Sequence, residues 1–361
     1  MSTVTYLDIF KYFLYIGCTG FGGPLAVIQQ MRNDFVKKNW VTESDFDQSF
    51  SLIKALPGPI AFQVAVYNAF KLKGFRGALM AAFLLITPAF LLIILFYNLT
   101  IHGSNSTIDS IIIAMQKVSL VLIFSSFMNF AQPIIKKSSS WLIFFISLSL
   151  FFSGYSEVAV LAAAIILFAV YWNFKKSTTL MSGYFSLSSS DTNDYTKLAL
   201  VCLKAGAFIF GSGLAIIPIL EADFVRDLGW MTHAEFLTAL AMGQITPGPV
   251  VITVAHIGYK QLGLLGAAIA TLCVFLPSFI HMTTWFPRLL KKLNTYHWIE
   301  SLNFIILAIV VSSLFYSIFL LSKNYSPSIL LTLFFLSLIQ FRFKLSLFPT
   351  ILMSVAVLYF V

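Results

Sequence analysis

The chain has 361 residues, of which 59% are hydrophobic and 10% are charged, and its formal net charge is +9. Soluble domains carry about 45–50% apolar and about 25% charged residues, so this composition excludes an ordinary water-soluble protein. The lysines and arginines stand in short clusters between apolar runs, which is typical of membrane-protein loops and excludes nucleic acid as the partner.

The first half of the chain begins with two Gly/Pro motifs, and two long apolar runs follow them. The motifs are Phe21-Gly22-Gly23-Pro24 and Pro57-Gly58-Pro59, and the runs are Leu79–Leu99 and Ile111–Ala131. A helix needs about 20 apolar residues to cross a bilayer, so each run predicts a crossing. Because such runs recur along the whole chain, none of them is a signal peptide.

A polar segment separates this half from a second one that repeats the same order. Residues 177–197 hold six serines and four threonines, which predicts a linker outside the membrane. The second half contains Phe210-Gly211-Ser212-Gly213, Pro247-Gly248-Pro249 and the apolar runs Leu264–Trp285 and Ile299–Leu321. Equivalent motif positions are 189 or 190 residues apart. We therefore predict an all-α polytopic membrane protein with homologous halves at 1–173 and 198–361 and a linker at 174–197.

The distribution of charge favours inverted rather than parallel halves. Inversion places the Lys/Arg-rich loops and the linker on one membrane face and leaves only Lys260 and Lys323 on the other. The rich loops are those with Lys71, Lys73 and Arg76, with Lys136 and Lys137, and with Arg288, Lys291 and Lys292. A parallel arrangement would divide these clusters between both faces, against the usual bias of positive charge toward the cytoplasm. The sequence leaves the number of crossings open.

The four Gly/Pro motifs predict broken helices and a binding site. Proline removes an amide donor and glycine permits dihedral angles that other residues avoid, so each motif interrupts a helix. Free backbone groups persist at membrane depth only inside protein or beside water, and paired breaks in two transporter halves point to the substrate site. A helix that restarts after such a break directs its partly positive amino end at the gap, where an anion is stabilised. The alternative is that the motifs only kink packed helices.

The motifs resemble those of the chromate ion transporter family. The resemblance is most specific over residues 210–278, through Phe210-Gly-Ser-Gly213, Gly243-Gln-Ile-Thr-Pro-Gly-Pro249 and Phe275-Leu-Pro-Ser278, and it extends over about residues 10–350. It implies a two-domain member that exports chromate by secondary transport. Chromate is a tetrahedral dianion close to sulfate in shape and charge, so sulfate and other oxyanions are the natural competitors.

Polar residues near the Pro-Gly-Pro motifs are candidate substrate ligands. Lys54 stands where the second half has Gln244, and the family pattern leads us to expect glutamine at both positions. The lysine adds positive charge beside the predicted anion site, unless it extends to the interface or pairs with an acidic side chain. Gln63, Thr246 and Thr253 are further candidate donors to oxyanion oxygens, with helix–helix hydrogen bonding as the alternative.

Four ionisable residues are candidates for gating or coupling. Arg32 and Glu221 occupy equivalent positions in the repeat, and Arg226 follows Glu221 in a charged stretch that ends at Trp230. An interfacial helix anchored by tryptophan is the alternative for this stretch and for its first-half counterpart. His256 lies in an apolar segment and titrates near neutrality, so it is a candidate proton carrier.

Three functional hypotheses compete, two of them within the class of secondary transporters. The leading hypothesis is a secondary transporter that exports chromate by alternating access, with a transporter or exchanger of sulfate or another oxyanion as the second. A passive anion channel stays open as well, because selectivity can rest on the same backbone groups. The spans contain no paired catalytic carboxylates, no metal-ligand cluster and no Ser/His/Asp set, so we expect neither an enzyme nor a cofactor. We expect the bacterial inner membrane as the location, and a homodimer is one option for the assembly.

Overall fold

The protein is described here from a computed structural model that covers residues 4–21, 23–54, 56–102, 106–135, 138–174, 193–210, 213–292, 297–323 and 325–343, with residues 350, 353, 354 and 357. Over these residues it is helical and contains no strand. The helices are α1 (Tyr6–Thr19), α2 (Pro24–Lys37), α3 (Glu43–Ile53), α4 (Ile60–His102), α5 (Ser106–Ile135), α6 (Ser138–Phe152), α7 (Glu157–Phe174), α8 (Asp194–Phe208), α9 (Ile217–Glu221), α10 (His233–Ile245), α11 (Thr253–Thr283), α12 (Phe286–Lys292), α13 (His297–Ser322) and α14 (Pro327–Phe343). The linker predicted at 174–197 falls mostly outside the described residues.

Helices α4 and α11 are not straight, because each turns back on itself at a glycine. Gly74 has φ 63° and ψ −156°, and its repeat counterpart Gly263 has the same two angles. A Cβ atom on Gly77 would lie 2.6 Å from the carbonyl oxygen of Ala69, whereas residues eight apart in a straight helix are separated by about 12 Å. Each helix is therefore a tight pair of arms, which we name α4a (60–73) and α4b (74–102), and α11a (253–262) and α11b (263–283).

Helix α3 and arm α4a form a hairpin whose tip is the Pro-Gly-Pro motif, and α10 and α11a form its counterpart. At the base of the first hairpin, Lys71 Nζ lies 2.8 Å from Asp45 Oδ2, which joins the end of α4a to the start of α3. At the base of the second, Lys260 Nζ lies 2.6 Å from Glu235 Oε1. Each hairpin therefore begins and ends on the same membrane face. We call them the first and the second Pro-Gly-Pro hairpin.

The hydrogen bonds at the hairpin bases are set by the local sequence. Thr42 caps α3 by accepting a hydrogen bond from the Asp45 amide, and Thr232 caps α10 in the same way through the Glu235 amide. The hydrogen bond from Lys71 lowers the pKa of the Asp45 carboxyl, and the one from Lys260 lowers the pKa of Glu235. Both carboxylates are thus charged at neutral pH.

Each half also begins with a wider pair of helices, joined at its Phe-Gly motif. In the first half, the Tyr12 hydroxyl of α1 donates to Asp34 Oδ2 of α2 at 3.1 Å. In the second half, Lys204 of α8 forms an ion pair with Asp223, which follows α9. The residues that join the two helices differ between the halves. In both halves, the second helix of the pair runs from the Phe-Gly motif back toward the membrane face on which the first helix begins.

The two halves are inverted, as predicted. Phe75, at the start of α4b, packs against Phe279 near the end of α11b, with ring centroids 5.5 Å apart. Toward the other end of α4b, Asn98 Nδ2 donates to the Tyr259 hydroxyl at 3.1 Å. Asn98 lies about 36 Å along the helix from Gly74, whereas Tyr259 is next to the base of the second hairpin. The equivalent arms are therefore antiparallel, and the two hairpin bases lie on opposite membrane faces.

We call the face with Lys71, Lys73 and Arg76 at the base of the first hairpin the basic face, and the face with Lys260 at the base of the second the opposite face. Because α11b runs from the opposite face, Arg288 beyond its end lies on the basic face. Lys136 and Lys137 fall outside the described residues. The clusters at Lys71 and Arg288 follow the distribution that inversion predicted. Arg226 departs from it, because its partner Glu221 also lies 3.6 Å from His233 Nδ1 at the start of α10, on the opposite face. The end of the linker departs as well, because α8 starts on the face to which α9 returns the chain.

The four predicted crossings coincide with apolar helices. The described residues contain four segments long and apolar enough to cross a membrane: Ile60–Thr100, Ile112–Ile135, Val250–Arg288 and Phe304–Ser322. Large apolar side chains such as Phe83, Leu91 and Leu95 are exposed on one side of α4b, where lipid would cover them. The multi-pass membrane architecture follows from these helices.

Candidate functional site

The tips of the two Pro-Gly-Pro hairpins meet the Phe-Gly breaks of the opposite half. The Gly58 amide donates to the carbonyl oxygen of Ile209 at 2.6 Å, and the Gly248 amide donates to the carbonyl oxygen of Gly20 at 3.0 Å. These residues are repeat equivalents, so the two hydrogen bonds are reciprocal. Such a reciprocal contact places the pseudo-twofold axis of the molecule between the tips.

Both tip glycines hold a backbone conformation that other residues rarely adopt. Gly58 has φ 130° and Gly248 has φ 102°. A Cβ atom on Gly58 would collide with Ser278 Oγ and Gln63 Nε2, whereas one on Gly248 would lie 3.5 Å from the Leu85 carbonyl oxygen. Glycine is therefore required at both tips by dihedral angle, and at Gly58 also by space.

A narrow cavity lies where the four motifs converge. One residue or more of each motif lines it, namely Pro24, Pro59, Gly213, Gly248 and Pro249. Val27, Leu85, Val250 and other apolar side chains complete the wall. The space holds about one water molecule, so a larger ligand requires the walls to move apart.

Helix beginnings surround this cavity. Helix α2 starts at Pro24, α4a at Ile60, and short 3₁₀ turns start at Gly213 and Val250. The first amides of a helix have no partner within that helix, and the end carries a partial positive charge. The cavity therefore combines apolar side chains with backbone donors from both halves, which suits a small anion that binds through its oxygens.

The predicted side-chain donors near the motifs lie behind the cavity wall. Gln63 Nε2 donates to the Pro57 carbonyl oxygen at 2.5 Å, so the side chain spans the first tip. Thr246 Oγ1 donates to the Gly243 carbonyl at 3.1 Å and Thr253 Oγ1 to the Val250 carbonyl at 2.8 Å. All three are buried, and their contacts hold the tips in shape.

Lys54 and Gln244 have opposite surroundings although they are repeat equivalents. Lys54 ends α3, is exposed, and holds its Nζ 4.9 Å from the ring centre of Phe50. Gln244 is 1% exposed and lies between α10 and α5 beside Met115 and Val118, with no hydrogen-bond partner for its amide among the described residues. Neither side chain lines the cavity.

The charged candidates lie away from the cavity. Arg32 Nε is 2.6 Å from Asp47 Oδ1, and a second nitrogen of Arg32 pairs with Glu43, so it links α2 to α3. Glu221 is fully buried, and Arg226 Nε lies 2.9 Å from its carboxylate.

His256 is buried on α11a and packs edge-on against Tyr97, with ring centroids 5.0 Å apart. Gly22, Gly211 and Ser212 fall outside the described residues, and Gly23 precedes α2 with φ 85°. No group of three His, Cys, Asp or Glu in the described part of the chain could hold a metal ion.

Sequence reasoning missed one polar surface. Asp47, Gln48, Ser51 and Lys54 lie on one side of α3 and are all exposed, although α3 belongs to a membrane hairpin. Their second-half counterparts are Leu237, Thr238, Ala241 and Gln244, of which three are buried. A position-by-position comparison of the two repeats would have shown this difference, since three of the four pairs exchange a charged or hydroxyl side chain for a less polar one.

Comparison with known proteins adds a family. The sequence model of the chromate transporter family matches residues 7–178 and 196–360, which also shows two homologous halves. The chain is 32% identical over 297 residues to the chromate transport protein of Cupriavidus metallidurans, which covers 77% of this chain and 73% of the relative. It is 30% identical over 288 residues to the probable chromate transport protein of Synechococcus elongatus, covering 75% and 73%.

A third relative, the uncharacterized transporter YwrB of Bacillus subtilis, is 28% identical over 200 residues, which is 96% of its length and 55% of this chain. No solved structure matches.

Proposed function

The chain belongs to the chromate transporter family, and from this premise we propose that it exports chromate across the bacterial inner membrane by alternating access. We place the anion between the halves, at the cavity where the four broken segments converge. The observation that carries this proposal is the pair of reciprocal hydrogen bonds, Gly58 to Ile209 and Gly248 to Gly20, because it brings four helix beginnings to one point.

The backbone accounts for part of the expected affinity for an anion. A helix amino end stabilises a nearby negative charge by about 0.3–1 kcal/mol when exposed and up to about 2 kcal/mol when partly buried. Four such ends therefore contribute several kcal/mol, while taking each ionic charge out of water also costs several kcal/mol. The ends alone do not offset a dianion, so we assign further attraction to Lys54, which does not line the closed cavity but precedes the first tip and would face the anion once that tip withdraws.

The predicted ligands then have distinct roles in this proposal. Backbone amides that follow Pro24, Pro59, Gly213 and Pro249 would hold the oxyanion directly. Gln63, Thr246 and Thr253 would fix the tips, and Gln244 would turn toward the anion when α10 leaves α5.

Arg32, Glu221, Arg226 and His256 stay candidates for gating or coupling, at a distance from the cavity.

The narrowness of the cavity requires movement during transport. A site with room for about one water molecule admits a four-oxygen anion only after one tip withdraws. Movement of either hairpin opens the cavity toward the face that carries its base. Because the bases lie on opposite faces, alternate movement of the two hairpins exposes one site to each side in turn.

Flux measurements test the proposal. Purified protein in liposomes should take up radiolabelled chromate in a saturable manner, and imposed pH and voltage gradients should identify the driving force. Sulfate, offered alone and as a competitor, distinguishes a chromate carrier from a general carrier of tetrahedral dianions. Absence of flux of either anion under every gradient would overturn the proposal, and flux of sulfate alone would reassign the substrate.

A further inference from the structure

The exposed polar face of α3 lies at membrane depth. Lys54 follows Asp45, at the hairpin base, by nine residues, which is about 13 Å along a helix, and the hydrocarbon core of a bilayer is about 30 Å thick. The tip beyond Lys54 is held at the pseudo-twofold axis by the hydrogen bond from Gly58 to Ile209. The face therefore descends from the basic side toward the middle of the membrane.

Lipid is a poor neighbour for this face. An ammonium group or a carboxylate in contact with acyl chains costs at least about 2.5 kcal/mol near the bilayer centre, and such groups face protein or water instead. The only aromatic contact of Lys54 Nζ among the described residues is with Phe50 of the same helix, and Asp47 keeps about half of its side chain exposed despite its pair with Arg32. Water is the neighbour that these side chains require.

We propose that the polar face of α3 lines a water-filled vestibule open to the basic side, and that Lys54 at its floor is the first group to bind an arriving oxyanion. The assignment of an oxyanion rests on the proposed function, whereas the vestibule rests on geometry alone. The described residues form no such vestibule at the second hairpin, because the equivalent face of α10 packs on α5, where the Gln116 amide donates to Thr238 Oγ1 at 2.9 Å.

Cysteine accessibility tests the vestibule without any transport measurement. In a chain whose three native cysteines are replaced by alanine, Ser51→Cys should react with a membrane-impermeant thiosulfonate added from the basic side only. Its repeat counterpart, Ala241→Cys, is the matched control and should react about tenfold or more slowly, because a buried thiol reacts only after local opening. Failure of Ser51→Cys to react, or equal reaction at both positions, would overturn the vestibule.

The charge selectivity of the same reaction tests Lys54. Ser51→Cys should react faster with a negatively charged thiosulfonate than with a positively charged one of similar size. Adding Lys54→Gln should lower the ratio of the two rates about threefold or more, as expected for one charge a few ångströms away in a partly aqueous site. An unchanged ratio would remove Lys54 from the vestibule floor even if flux assays had shown transport. A changed ratio would support Lys54 even if flux assays had failed.

Discussion

The two Pro-Gly-Pro hairpins share a backbone but differ in what covers them. The turn that follows each hairpin has the same dihedral angles, at Gly74 and at Gly263, and both hairpin bases are closed by an ion pair. Yet α10 packs along α5, while α3 makes no comparable contact with α13 among the described residues. A symmetric scaffold therefore holds an asymmetric arrangement, with one hairpin closed and the other exposed on its outer side.

This difference indicates that the two hairpins have different roles in transport. Burying the face with Asp47, Gln48 and Lys54 against another helix would remove charges from water, which costs several kcal/mol for each uncompensated ion. Burying the face of α10 that contains Leu237 and Ala241 has no such cost, because these side chains are apolar. We therefore expect the outer face of the first hairpin to stay hydrated throughout the cycle, whereas the second hairpin can move only after α10 separates from α5.

The largest expected effect comes from giving the second hairpin the first hairpin's charge. Gln244→Lys places an ammonium group between α10 and α5 beside Met115 and Val118, where the described lining contains no acidic side chain. The cost of several kcal/mol should separate α10 from α5 and lower chromate flux about tenfold or more. Flux into liposomes measures the loss, and Ala241→Cys on this background should become reactive. Gln244→Met, which keeps this position uncharged, is the matched control and should leave Ala241→Cys protected. Normal flux with a protected Ala241→Cys in the Gln244→Lys protein would contradict the role given to the contact between α10 and α5.

The second prediction compares the tips. Gly58→Ala and Gly248→Ala both force a side chain into a positive φ, which costs about 1–3 kcal/mol. Only Gly58→Ala also collides with Ser278 and Gln63, which adds about 1–3 kcal/mol of overpacking. The melting temperature in detergent should therefore fall further for Gly58→Ala, and its flux should be the lower of the two. Equal melting temperatures would show that the tips are packed alike.

The third prediction concerns the close contact between the two arms of α11, where the first half has an alanine in place of a glycine. Ala69 occupies the position equivalent to Gly258, and each lies opposite a glycine across the turn of its helix pair. A Cβ atom on Gly258 would collide with the Gly266 carbonyl oxygen, so the arms must move apart to admit it, and Gly258→Ala should cost about 1–3 kcal/mol. Gly266→Ala, whose Cβ would also lie 2.6 Å from Leu262 Cβ and whose counterpart Gly77 is a glycine too, should be worse in the same thermal assay. A loss for Gly258→Ala as large as that for Gly266→Ala would contradict the equivalence of the two turns.

The smallest effect concerns the hairpin bases. Asp45→Asn and Glu235→Gln each remove one partly exposed ion pair, so each should cost less than about 1 kcal/mol. The pKa of each carboxyl is lowered in the folded protein, so both ion pairs stabilise the folded state fully at neutral pH. This stabilisation is lost as the pH falls through the lowered pKa values, which lie below the ordinary 3.8 and 4.5. The difference in melting temperature between wild type and each variant should therefore be largest at about pH 7 and should shrink as the pH is lowered below about 4.

Much of the fold could be predicted because its signals are local or periodic. The apolar runs predicted the membrane crossings, and the repeat offset of 189 or 190 residues predicted two homologous halves. The cation clusters at Lys71 and Arg288 favoured an inverted arrangement of these halves. The turns inside α4 and α11 could not be predicted, because Gly74 and Gly263 stand in sequences that otherwise continue as helix. Their role depends on close packing between residues such as Gly258 and Gly266, which only the folded chain reveals.

The candidate site was predicted less completely than the fold. The motifs were expected to converge, and the structure brings Pro24, Pro59, Gly213 and Pro249 to one cavity. The side chains that complete its wall, such as Val27 and Leu85, are ordinary apolar residues with no distinguishing sequence signal. Lys54 was expected beside the anion, but the structure places it on an exposed helix face, since burial depends on what packs against α3.

The most direct test of alternating access at one central site is counterflow. Liposomes that contain the protein are loaded with unlabelled chromate and diluted into a trace of radiolabelled chromate with no gradient of pH or voltage. A carrier whose single site faces one side at a time exchanges internal for external anion, so the labelled chromate should accumulate transiently above its equilibrium level and then decline. With equal potassium on both sides and valinomycin holding the voltage at zero, a channel cannot produce this overshoot, because no diffusion potential then drives label inward. A monotonic approach to equilibrium, with flux that does not saturate, would contradict the account.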